Sequence, residues 1–195
     1  PKEWTPGTNG VIKTEVVYLN VKTDADFGKY KGKLRGKIVC IYDPVPVRLN
    51  TNPWVTRLSD DSLRSLSNVI IPDSSEKIKA KEDESKNNEA YLQYFHFITQ
   101  KVEFCMNEGA VLLIDPGYRT YGLNQAWANI CAVPPHDVFD YLSRYAGDPD
   151  IPESLPQVSI STEQYNTITG AIERGAKVEM EVNIEVEKGG VEKGY

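Results

Sequence analysis

The groups with which this chain could do chemistry are two histidines, three cysteines and 28 carboxylates. His96 and His136 stand too far apart to form an HExxH pair or any other metal pattern. Both read as satisfied structural or surface imidazoles. Cys40, Cys105 and Cys131 make no CxxC and no Cys/His cluster of zinc spacing, so they read as small buried thiols, although pairing is not visible in a sequence. His96 and Cys105 fall on one helical stretch, about 13 Å apart along its axis, which is too far for a thiolate–imidazole couple. There is no GxSxG nucleophile elbow. No complete catalytic set assembles, and that favours a non-catalytic module.

Ten of the 28 carboxylates lie in one charged stretch, Asp73–Glu89, or on the polar side of the last strand. Asp115 differs, because it follows an apolar strand and opens a Gly/Tyr/Arg-rich loop where a site could form. Its simpler reading is a turn with Pro116 and Gly117. In the same loop Tyr118, Arg119, Tyr121 and Trp127 would suit recognition of a partner, since aromatics and arginine carry much interface energy. The alternative is that Trp127 and one tyrosine cap the core. A net charge of −6 argues against nucleic acid, whose binding needs clustered cations to displace counterions. Lys29–Lys37, the densest basic cluster, is interrupted by glycines and reads as a solvated turn.

These groups must be positioned by strands and helices. Glu15–Val21 and Lys37–Tyr42 read as strands. Gly28, Gly32 and Gly36 precede the second strand, so they read as turn residues and not as a phosphate-binding loop, which would open a helix and end in Lys-Ser/Thr. Residues 44–57, with Pro44, Pro46 and Pro53, read as irregular. Ser59–Ser67 reads as a short helix capped by Ser59, with Leu63 and Leu66 on one face. Asp73–Glu89 is too polar to bury, whether loop or exposed, frayed helix. Glu89–Glu108 has the period of a helix through Tyr91, Phe95, Ile98, Val102 and Cys105, stopped by Gly109. Val111–Ile114 is then a strand covered on both faces. Asp137–Tyr145 reads as a further helix.

The C-terminal third is the most informative. Val158–Ser161 reads as a strand. Glu163–Arg174 follows as a helix capped by Ser161 with Gln164, stopped by Gly175, and buried through Tyr165, Ile168 and Ile172. Then comes a long alternating strand, Lys177–Glu187, of roughly 36 Å. It ends close to the end of the chain, which gives the expectation of a piece of a larger protein. No apolar run reaches the ~18 residues of a membrane span. Together the elements predict an α/β fold with a mixed sheet and helices on one side.

Three segments, in order, resemble the protease-associated domain. They are GTNGVIKTEVVYLNV running to KGKLRGKIVCI, KVEFCMNEGAVLLID, and LPQVSISTEQYNTITGAIERGAKVEMEV with its P-x-V-x-I-S strand. The insertion RLSDDSLRSLSN is similar to the form of that domain carried by secreted bacterial two-zinc aminopeptidases. The resemblance implies a three-layer β/β/α, swivelling-type domain over residues 1–195, with insertions at about 43–88 and 116–154. It implies a linker, 188–195, toward a catalytic domain in cis. It also implies an exported parent enzyme whose zinc is held by that other domain, so no cofactor belongs to this stretch. Members of the family shape substrate access or bind peptide or protein. A free-standing peptide- or carbohydrate-binding module is the other reading.

Overall fold

A computed structural model describes residues 1–2, 5–47, 55–68, 74–117 and 154–186, with the side chains of 74–88 left aside. Five strands form one curled mixed sheet in the order β4-β3-β2-β1-β5. They are β1 (Ile12–Tyr18), β2 (Ile38–Cys40), β3 (Leu112–Pro116), β4 (Gln157–Ile160) and β5 (Glu179–Val182). β1 to β4 run parallel, and β5 is antiparallel to β1. The helices are α1 (Asp60–Ser67), α2 (Ser74–Asn107) and α3 (Thr162–Glu173), with a 3-10 turn at Asp24–Lys29. The expected α/β architecture with a mixed sheet is therefore the one observed.

β2 and β3 form the middle of the core. All three residues of β2 and all five of β3 are buried, as expected for parallel strands covered on both faces. From α2, Ile98, Val102 and Cys105 join this core, and from α3 Tyr165 does so. The two helix stops act as the sequence indicates. Gly109 has φ +77°; its N–H bonds Met106 and that of Ala110 bonds Cys105. Gly175 repeats the arrangement with Ile172 and Ala171. Both are Schellman closures, which need a left-handed residue that glycine adopts without a Cβ clash. The caps hold as well: Ser59 accepts from Ser62 N and Ser161 from Gln164 N.

Several boundaries differ from the sequence reading. β1 begins and ends three residues earlier than expected, because its register is set by β2 and β5 and not by its own alternation. The long C-terminal strand is regular only over Glu179–Val182. Its partner leaves the ladder at Asn9 and Gly10, both with positive φ. Past that bulge the chains still touch, Thr8 N donating to Ile184 O at 3.0 Å and Ile184 N to Thr8 Oγ1 at 2.9 Å. Alternation survives through Ile184, which is buried, whereas Val186 is exposed. The charged stretch is helical from Ser74 as the first part of α2. The apolar period of α2 reaches the core only from Ile98 onward, and Tyr91 is exposed. Leu63 and Leu66 on α1 are exposed too. Gly32 and Gly36 do turn with positive φ, while Gly28 lies inside the 3-10 turn. The helix expected at Asp137–Tyr145 lies outside the described residues.

The two described thiols behave as buried apolar groups. Cys40 and Cys105 are free and fully buried. Burial pushes each thiol up to about 12 from an ordinary 9.0, because a thiolate loses its hydration there. In the window between these values the folded chain keeps protons that the unfolded chain releases, so stability is expected to fall as pH rises. Burial also raises Tyr165, with the same sign. The urea midpoint should therefore drop steadily above pH 9. In a Cys131→Ser chain, a thiol reagent should label neither Cys40 nor Cys105 until denaturant is added. Rapid native labelling would contradict the packing described here.

Candidate functional site

In a parallel sheet, ligands gather beyond the carboxyl ends of the strands. Two groups of polar side chains stand at that end. The first surrounds Asp115. The residue does not make a turn: it lies within β3, in register with Ser159 of β4, and is 3% exposed. Its carboxylate forms an ion pair with the ammonium of Lys2, itself buried. Lys2 is brought there because its N–H bonds Gln157 O at 3.0 Å and its carbonyl accepts from Thr5 Oγ1 at 2.9 Å. Desolvation raises the Asp115 pKa, opposed by the Lys2 charge and by the Ser159 hydroxyl. Gln157 Nε2 bonds Ser154 Oγ at 2.9 Å beside them. This is a buried charge pair closed by neighbouring polar groups, suited to joining the N-terminal segment to the β3–β4 edge.

The second group fastens the segment that follows β2. Tyr165 is fully buried, and its hydroxyl both accepts from Tyr42 N at 2.9 Å and donates to Tyr42 O at 2.6 Å. Asn166, the next residue of α3, treats Val45 as a strand would: Oδ1 accepts from Val45 N at 3.1 Å and Nδ2 donates to Val45 O at 2.7 Å. From α2, Lys101 donates to Ile41 O at 3.3 Å. Asp43 pairs with Lys22 and accepts from Tyr18 Oη at 3.3 Å. Burial, reinforced by the Asp43 charge, holds the Tyr18 hydroxyl well above its usual range. Sequence reasoning passed over Lys101, Tyr165 and Asn166 as polar contributors. A lysine on the apolar side of a helix, Lys101 beside Val102 and Ile98, was the signal available.

Of the residues singled out from sequence, Asp115 is placed, whereas Tyr118, Arg119, Tyr121, Trp127, Cys131 and His136 lie outside the described residues. His96 is on the exposed side of α2. There it lines a shallow cavity of about 410 Å³ with Gln93, Phe97, Thr99, Gln100 and Glu103. Among the described residues no group of three or more His, Cys, Asp and Glu side chains could hold a metal ion. No helix among them is long and apolar enough to cross a membrane.

No family model and no curated protein matches the chain. Among solved structures it is similar to an aminopeptidase from Aneurinibacillus sp. strain AM-1, with a TM-score of 0.41 and 16% identity. The alignment covers 90% of this chain and 25% of that one, so the chain spans a quarter of that protein's length. A likeness of this extent assigns no role to any residue.

Proposed function

We propose that this chain is a non-catalytic accessory domain of the protease-associated type, carried by an exported, zinc-dependent exopeptidase of aminopeptidase character. The observation that supports the reading is the place of the three resembling segments in the fold. The first supplies β1 and β2, the second the end of α2 and β3, and the third β4, α3 and β5. Each falls on the sheet or on a helix packed against it, and together they account for all five strands. The charged groups described at the carboxyl end of the sheet hold backbone segments and one another. In this reading the zinc and its ligands belong to the catalytic domain in cis, and the module shapes access to it or holds peptide or protein.

The test is direct. The purified chain, with and without added zinc, is expected to release no chromophore from leucine p-nitroanilide, while its circular dichroism shows a folded α/β protein. Zinc-dependent turnover by the folded chain would reject the proposal. So would a coding sequence with no peptidase domain adjoining this one.

A further inference from the structure

Lys101 is a buried cation whose hydrogen-bonding capacity is mostly unused among the described residues. It is 3% exposed. Its ammonium carries three N–H donors, and among the described residues Ile41 O, at 3.3 Å, is its one hydrogen-bond acceptor. The ring of Phe97, 5.0 Å away, adds a cation–π contact. A buried charge is costly unless it is paired and hydrogen-bonded.

The described residues around it do not supply that pairing. Besides burial, the groups that act on Lys101 are Asp43, which favours the ammonium, Lys22, which opposes it, and the Cys105 thiol, which adds a lesser favourable contribution. Asp43 is already engaged by Lys22 and by the Tyr18 hydroxyl. Two ammonium groups therefore share one carboxylate. Glu173, which acts on Tyr18, is hydrogen-bonded by Asn20 Nδ2 at 3.4 Å. Desolvation accordingly lowers the Lys101 pKa.

The position is one where ligands are expected, just past the carboxyl end of β2. The backbone there is held in place by Tyr165 and Asn166, so a site would be largely preorganised. Lys22 and Asp43, the charges that act on Lys101, have side chains 55% and 53% exposed.

We propose that Lys101 heads a subsite for a small carboxylate, closed from solvent by the Lys22–Asp43 pair. In it the bound carboxylate accepts the N–H donors that Ile41 leaves free, and Lys22 turns from Asp43 to the second carboxylate oxygen. Binding would complete the charge balance of two ammonium groups and one acid. The same chemistry is presented by a free carboxylic acid and by the C-terminus of a peptide. The inference does not depend on the peptidase reading above.

The test follows the Lys101 Nζ resonance in a chain labelled with 15N-lysine, at constant ionic strength. Acetate, N-acetylalanine and N-acetylalaninamide are titrated in separate runs. A saturable shift with acetate, absent with the amide, is expected. If N-acetylalanine saturates it too, the subsite admits a peptide terminus; if acetate alone does, it serves a free acid. Asp43→Asn removes the competing carboxylate and should tighten binding about tenfold. Lys101→Met should abolish the response of the neighbouring Phe97 ring resonances. No saturable shift in the wild-type chain, or an equal response to chloride, would overturn the proposal without reference to any variant.

Discussion

Replacing Lys2 by methionine is expected to cost about 3–5 kcal/mol of folding stability, the loss typical when one member of a buried ion pair is removed. The reason is the carboxylate left behind. Asp115 is as buried as Lys2, and without the ammonium it must either stay charged in an apolar setting or take up a proton. Because desolvation already raises its pKa, removing Lys2 raises it further. The penalty should therefore shrink as pH falls and Asp115 is protonated in the folded state. Urea unfolding at pH 7 and pH 5 measures both effects. The doubly substituted Lys2→Met, Asp115→Leu chain should recover most of the loss, since a matched apolar pair needs no compensation. A Lys2→Met chain as stable as wild type at pH 7 would show that the N-terminal segment does not seat Lys2 on β3.

Tyr165 carries the second large effect. Tyr165→Ala should cost about 3–5 kcal/mol, the range for emptying a buried aromatic site. Tyr165→Phe separates the ring from its hydroxyl. It keeps the packing but withdraws the partner of both Tyr42 N and Tyr42 O. About 1–3 kcal/mol of that loss should belong to the hydroxyl alone, the usual cost of a buried polar group left without its bond. A domain of this size has only about 5–15 kcal/mol to lose, so the alanine variant should be close to unfolding. Amide exchange gives a second readout: in Tyr165→Phe the Tyr42 amide should lose protection, while those of β3 keep theirs. Equal stability of the phenylalanine and wild-type chains would remove Tyr165 as the tie between α3 and the segment after β2.

The Lys2 and Tyr165 effects arise from features that sequence periodicity treats differently. Tyr165 was legible as a buried residue, because it belongs to the 3.6-residue stripe of α3 with Ile168 and Ile172. Its hydroxyl partners were not legible, since Tyr42 reaches it only when the sheet closes beneath α3. Asp115 stands out in the sequence as an acid at the end of an apolar run. Its surroundings could not be read, because Lys2 approaches through the backbone bond to Gln157 O and no local pattern encodes that contact.

What the amino-acid order determined by itself is local. Gly109 and Gly175 end their helices, Ser59 and Ser161 begin theirs, and the unbroken apolar run of β3 requires cover on both faces. Each follows from backbone sterics or from the period of apolar residues over a few positions. The tertiary structure decided what depends on residues distant in the chain. It set the register that moves β1 and shortens β5 at the Asn9–Gly10 bulge, placed Lys2 against Asp115, and left Lys101 buried with a single acceptor among the described residues. Strand pairing and charge pairing are satisfied only by groups that meet after folding, so their partners are chosen by the closed sheet and not by neighbours in sequence.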